Sequence, residues 1–169
     1  MTNALLELSA ALGQALREKG WQLSLAESCT GGMIAQSVTA IAGSSAWFDR
    51  GFVTYSNAAK TDMLAVPEAL IVEYGAVSEP VAEAMAQGAL THSTATLSGA
   101  VTGVAGPGGG TPQKPVGTVC FAWAVRGQVG QVDLMRIETC HFDGDRTQVR
   151  EQAASYLLAG LLQLATSKL

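Results

Sequence analysis

Short apolar runs alternate with amphipathic stretches along almost the whole chain, and this alternation restricts the fold more than any other feature. Residues 22–26 (QLSLA), 51–55 (GFVTY), 98–103, 117–125 and 132–141 read as strands, being apolar, β-branched or aromatic over short spans. Residues 4–18 place Leu5, Leu8, Leu12, Ala15 and Leu16 on one helical stripe, closed by Gly20. Residues 33–40, 57–64 and 67–74 are further helical runs, the last with Pro67 at its start. Ser78-Glu79-Pro80 signals a helix start with Ser78 as its cap, and the helix turns Val81, Ala82, Met85, Ala86 and Ala89 inward. A closing helix over 145–167 carries Val149, Ala153, Tyr156, Leu157, Leu161 and Leu164 on its inner face. Such alternation predicts a three-layer α/β domain on a mainly parallel sheet. The hairpin signal at 127–130 leaves too few residues for a parallel crossover, so the sheet is mixed. With no internal repeat and no linker, residues 1–169 are expected to form one domain.

Composition excludes several classes of function. The chain has 169 residues, 48% hydrophobic and only 14% charged, which is too apolar for a disordered segment. Its formal net charge of −4 gives no electrostatic footprint for nucleic acid. No apolar run approaches the ~20 residues that span a bilayer, and no leader pattern opens the chain, so a soluble, cytoplasmic protein with no membrane partner is expected. Cys29, Cys120 and Cys140 form no CxxC pair and His92 and His141 stand far apart, which argues against a zinc site and for reduced, buried thiols. Seven of the 19 glycines crowd between Gly99 and Gly117.

Ligands of open α/β sheets bind beyond the carboxyl ends of the strands, and three segments fit that position. In Glu27-Ser28-Cys29-Thr30-Gly31-Gly32 a strand gives way to a helix, with a serine hydroxyl at the mouth and two glycines that admit a substrate to the backbone. Amides at such a helix start either stabilise an oxyanion or simply begin a capped helix. The glycine-rich loop from Thr102 to Pro115 matches neither GxxxxGK[ST] nor GxGxxG, and reads as a phosphate cradle or as an ordinary long turn. Tyr55-Ser56-Asn57-Ala58-Ala59-Lys60 sets Ser56 and Lys60 four residues apart at a strand-to-helix junction. Lys60 is either a solvated surface lysine or the base of a histidine-free nucleophilic site. Work near pH 7.5 requires its pKa to fall by about 3 from ~10.4, roughly 4 kcal/mol, which desolvation can supply.

These segments occur in order with Gly43-Ser44-Ser45, Gly75-Ala76-Val77-Ser78, Lys114-Pro115-Val116-Gly117-Thr118-Val119 and Phe142-Asp143-Gly144-Asp145-Arg146. Together they make the chain resemble, over essentially its whole length, the C-terminal domain family of the competence/damage-inducible protein CinA, whose stand-alone members are nicotinamide-nucleotide amidohydrolases. The resemblance implies a three-layer α/β/α fold with a mixed, mostly parallel sheet and one antiparallel strand. It further implies conversion of nicotinamide mononucleotide to nicotinate mononucleotide and ammonia, within pyridine-nucleotide salvage. By the same resemblance Ser28 is the nucleophile and Lys60 its base, with Tyr55 and Ser45 supporting proton transfer. Cys29, Thr30, Gly31, Gly32 and Thr102 are implied as oxyanion or substrate contacts. Arg146, Gly103 and Gly106 are the corresponding candidates for the phosphate and ribose. The chemistry asks for no metal and no diffusible cofactor.

Two alternatives stay open at this level. Cys29 rivals Ser28, since thiols are the better nucleophiles at neutral pH. A non-catalytic nucleotide-binding module would need the loops but not the Ser28/Tyr55/Lys60 set, and a purely structural oligomerisation domain leaves the polar junctions idle. Low charge together with Trp47, Phe48 and Trp123 suits a buried subunit interface, so a homo-oligomer, and a dimer in the first instance, is expected. Light scattering at micromolar concentration should return twice the chain mass; a monomer's mass would refute the expectation.

Overall fold

The computed structural model describes residues 2–127 and 131–167. Along the chain run α1 (Asn3–Lys19), β1 (Leu23–Glu27), α2 (Met33–Thr39), a short 3-10 turn (Ser44–Ala46), β2 (Phe48–Val53), α3 (Asn57–Leu64), α4 (Glu68–Tyr74), α5 (Glu79–Thr91), β3 (Leu97–Gly103), β4 (Thr118–Arg126), β5 (Val132–His141) and α6 (Arg146–Thr166). The sheet order is β2-β1-β3-β4-β5. β2, β1 and β3 are parallel, while β4 pairs antiparallel with both β3 and β5 and is the one reversed strand. This is the mixed α/β sheet expected from the alternation and from the short β4–β5 connection. Residues 128–130 of the hairpin signal lie outside the described residues; beside them the Gly127 amide donates to the Gln131 carbonyl at 2.8 Å.

The sheet divides the interior into two cores of different grain. On one face Val119, Phe121, Trp123 and Val125 of β4 meet Leu5, Leu12 and Leu16 of α1 and Val149, Leu157 and Leu161 of α6. On the other face Cys120, Ala122 and Ala124 of the same strand meet Val81, Ala82, Met85, Ala86 and Ala89 of α5. The strand alternation therefore sorts large side chains to the α1/α6 side and small ones to the α5 side. Small residues bring α5 close enough for buried strand hydroxyls to reach its carbonyls: Ser24 Oγ donates to Ala89 O at 3.0 Å and Ser98 Oγ to Ala86 O at 2.8 Å.

Three expectations need correction. β2 begins at Phe48 and stops at Val53, because Phe48 pairs with Leu23 and the Trp47 carbonyl accepts from the Leu23 amide; Tyr55 thus stands just beyond the strand. Ser78 is the N-cap residue of α5 by backbone position, but its hydroxyl donates back to Gly75 O at 2.8 Å instead of capping the helix. Trp47 and Trp123, assigned to a subunit interface, are wholly buried within the chain, where they fill the larger core. Exposed large apolar residues are instead Val53, Tyr55, Met63, Val72 and Tyr74.

α3 is held against α5 by one close approach. A Cβ on Gly88 would stand 2.2 Å from the Leu64 carbonyl oxygen, a backbone atom that cannot swing aside. Alanine usually favours a helix interior over glycine by about 1 kcal/mol, whereas overpacking costs about 1–3 kcal/mol. Gly88→Ala should therefore lower stability despite its better propensity, the Tm falling by about 2–4 °C for each net kcal/mol lost, by calorimetry.

Candidate active site

β1, β2 and β3 end at the same sheet edge, and the segments that leave them, with the start of α6, enclose a cavity of about 190 Å³. Ser28, Cys29, Tyr55, Asn57, Lys60, Ala76, Val77, Thr102, Gly103, Ala105 and Arg146 line it. A larger groove of about 430 Å³ runs between α4 and α5; its Thr91 and His92 side chains are bonded to the Gln87 and Gly88 carbonyls of their own helix.

The turn that bears Ser28 is built around a buried carboxylate. Glu27, the last residue of β1, is fully buried and accepts from Thr30 Oγ1 at 2.7 Å and from the amides of Gly32, Ile34 and Ala35 at 3.0, 3.1 and 2.8 Å. The first donors of α2 are thereby consumed by Glu27, so they are not available to a substrate oxyanion, contrary to the reading of a helix-start anion site. Gly31 and Gly32 take left-handed conformations (φ +59° and +92°), which lets the chain double back into α2. Ser28 N donates to Val101 O, extending the β1–β3 ladder, and Gly31 N closes a turn on Ser28 O at 3.1 Å. Among the described residues, the Cys29 and Thr30 amides donate to no other residue; the Cys29 amide faces its own thiol.

Lys60 is no surface lysine: it is 1% exposed. Its Nζ lies 2.9 Å from Ser28 Oγ and donates to the Thr54 carbonyl, also at 2.9 Å. The first turn of α3 aims it there, with Ser56 as N-cap accepting from the Ala59 amide. No carboxylate forms an ion pair with Lys60 among the described residues. Desolvation by burial holds its pKa below the ordinary lysine value. Burial also pushes the Cys29 thiol up to about 12, against the lowering effect of its own amide and of Arg150 and Lys60. Near neutral pH Cys29 is therefore an uncharged thiol, which neither balances Lys60 nor competes with Ser28 as nucleophile.

The remaining sequence candidates divide. Tyr55 is 62% exposed at the cavity mouth; its hydroxyl accepts from Arg146 Nη2 at 3.1 Å and bonds to neither Ser28 nor Lys60. Arg146 Nη1 donates to Gly106 O at 2.7 Å, so this one guanidinium ties the β2–α3 junction to the glycine-rich loop. Thr102 lines the cavity but spends its hydroxyl on Ala76 O at 2.8 Å. Gly103 borders the cavity, whereas Thr30, Gly31, Gly32 and Gly106 do not line it and act on its shape from behind. Ser45 is not brought to this site: it is exposed in the turn before β2, at the opposite end of a six-residue strand. At ~3.3 Å per residue that strand alone separates them by roughly 20 Å.

Three contributors were not assigned from the sequence: Glu27, Asn57 and Arg150. Arg150 follows Arg146 by four residues on α6, a spacing that sets both guanidinium groups on one helix face, and this was the available signal. Its Nε donates to Cys29 O at 3.1 Å and its Nη2 to Thr30 O at 2.7 Å.

The buried lysine has a thermodynamic signature. Its native pKa is lowered relative to the unfolded chain, so between the two values the unfolded state binds the extra proton and stability rises with pH. Compared with Lys60→Met, the wild type should gain stability from its native lysine pKa up to about pH 10.4, with a limiting slope of about 1.4 kcal/mol per pH unit. Parallel stability differences from pH 7 to 10 in urea titrations would contradict the lowered pKa.

Comparison with known proteins agrees with this architecture. Residues 5–165 match the family model of the CinA C-terminal domain. The chain is 51% identical over 159 residues to the nicotinamide-nucleotide amidohydrolase PncC of Escherichia coli K12, covering 94% of this chain and 93% of that one. A PncC of Pseudomonas putida is 52% identical over 159 residues, with coverage of 94% and 96%. Other relatives are longer: a protein of Symbiobacterium thermophilum described as competence-damage inducible is 56% identical over 155 residues, but this chain spans only 36% of its length. Among solved structures, the competence/damage inducible protein CihA of Agrobacterium tumefaciens superposes with a TM-score of 0.89 at 44% identity, covering 97% of each chain. The chain belongs to the CinA C-terminal domain family.

Proposed function

We propose that this chain is a serine amidohydrolase that converts nicotinamide mononucleotide to nicotinate mononucleotide and ammonia, acting as a single domain over residues 1–169. The observation that carries the reading is the buried, unpaired Lys60 amine 2.9 Å from Ser28 Oγ. A binding module has no use for a buried lysine, its basicity lowered by desolvation, in contact with a serine hydroxyl, whereas amide hydrolysis can use this pair. Relatives of nearly the same length and about half identical sequence are named nicotinamide-nucleotide amidohydrolases, and the mononucleotide is the member of that class taken here as substrate.

The steps follow from the geometry. Neutral Lys60 takes the Ser28 proton as Oγ attacks the carboxamide carbon. The negative charge that develops on the carboxamide oxygen meets the amide of Cys29, which lines the cavity and donates to no other residue among those described. The Lys60 ammonium then returns the proton to the departing nitrogen, releasing ammonia and leaving an acyl ester on Ser28. Water, deprotonated by the same amine, cleaves that ester to the carboxylate and restores both groups. The nucleotide phosphate lies toward the mouth, at Arg146, whose guanidinium keeps donors beyond the two given to Gly106 and Tyr55. Tyr55 holds Arg146 in place, and so serves substrate binding more directly than proton transfer. Assembly as a homo-oligomer and a cytoplasmic location complete the proposal.

Ammonia release and nicotinate mononucleotide formation should be measured for wild type, Ser28→Ala and Lys60→Met across pH. Each variant should lose on the order of 10⁴-fold or more in kcat. Wild-type kcat/KM should climb with pH to a plateau, with a midpoint below the ordinary lysine value, because the unprotonated amine is the active form. Undiminished turnover in Ser28→Ala overturns the nucleophile. Nucleotide binding without any ammonia would instead favour a regulatory module.

A further inference from the structure

The Ser28 turn is held from two sides by opposite charges. Glu27 gathers donors of the turn and of α2, while Arg150, reaching in from α6, gathers acceptors. Arg150 is half-buried and does not line the cavity. Its two bonds go to consecutive carbonyls, Cys29 O and Thr30 O, from Nε and Nη2 of one rigid fork.

A trans peptide is planar, with its C=O and the next N–H pointing in opposite directions. Holding Cys29 O therefore sets the direction of the Thr30 N–H. Holding Thr30 O sets the Gly31 N–H, which donates to Ser28 O at 3.1 Å. Ser28 O shares its plane with the Cys29 N–H, so that amide is set in turn. The three peptide planes after the nucleophile thus form one chain of constraint that begins at Arg150 and ends, at the cavity, on the Cys29 amide. The left-handed glycines make this restraint necessary, since Gly31 and Gly32 offer little resistance of their own to rotation of neighbouring planes.

We propose that Arg150 is a positioning residue that preorganises the turn after Ser28, and with it the Cys29 amide as the oxyanion donor beside the nucleophile. The inference rests on the amidohydrolase reading above and goes beyond it by naming what keeps that donor aimed. Arg150 touches neither substrate nor the reacting atoms. Its loss therefore affects the transition state and spares ground-state binding, which depends on Arg146 and the cavity walls.

The test compares wild type, Arg150→Lys and Arg150→Ala by Tm, by kcat and KM on nicotinamide mononucleotide, and by the rate at which a fluorophosphonate labels Ser28, read by peptide mass. In labelling, an oxygen–phosphorus bond forms, fluoride leaves and Lys60 takes the serine proton; the phosphoryl oxygen needs the same amide. Arg150→Lys is expected to hold its Tm within a few degrees and its KM within twofold. Its kcat and its labelling rate should both fall on the order of a hundredfold. Arg150→Ala should fall similarly and regain activity with millimolar guanidinium, which restores the fork. Wild-type kcat in both variants, a rise in KM alone, or unfolding of both variants overturns the proposal. A wild type that is labelled but yields no ammonia means that the amidohydrolase reading fails; the labelling rates of the variants then decide the role of Arg150 alone. A wild type that is not labelled at Ser28 overturns both.

Discussion

The burial of the Glu27 carboxylate at the end of β1 is the constraint on which the site depends. An ionised carboxyl taken out of water is costly by several kcal/mol unless strong donors surround it. Thr30 Oγ1 and three backbone amides supply that surround, and each such charge-assisted bond is stronger than a neutral one. Meeting this demand forces the chain to wrap back on itself within five residues of the strand, through Gly31 and Gly32. The wrap leaves Ser28 and the Cys29 amide at the cavity wall, that amide donating to no other residue among those described. Arg150 closes the arrangement from the other side.

Lys60 reaches Ser28 because of how the smaller core is packed. Alanines on α5 and on the facing strands let that helix approach the sheet, with strand serines bonding to helix carbonyls in place of bulk. Gly88 then admits the end of α3 to α5, which seats the inward face of α3, Lys60 included, beside the carboxyl end of β1. The amine arrives with two neutral acceptors and no carboxylate partner among the described residues, so desolvation outweighs the opposing effect of Cys29. Packing far from the cavity is thus what depresses the basicity of Lys60.

Much of this was legible in the residues. Periodicity placed α1, α5 and α6 and their buried faces, because long amphipathic helices repeat their pattern many times. The apolar runs located β3, β4 and β5, while the start of β2 was missed because Phe48-Asp49-Arg50-Gly51 does not alternate. The ordered motifs marked Ser28, Lys60, Tyr55, Thr102 and Arg146, all of which line one cavity. Ser45 shares the motif order yet lies at the far end of β2, since order along the chain says nothing about which end of a strand a residue occupies. Trp47 and Trp123 look like interface residues in a chain with little charge, but the fold has its own large core to fill.

The sequence by itself determined the alternation of strands and helices, the mixed sheet, the family, and a short list of polar residues at strand ends. These follow from local propensity, spacing and motif, which are properties of neighbours along the chain. Only the tertiary structure decided that Lys60 is buried against Ser28, that Cys29 is a neutral thiol, that Glu27 consumes the donors of α2, and that Arg150 and Arg146 divide into a clamp and a mouth residue. Those outcomes depend on desolvation and on contacts between residues as far apart as Cys29 and Arg150, separated by 121 positions. Such quantities exist only once the layers have closed.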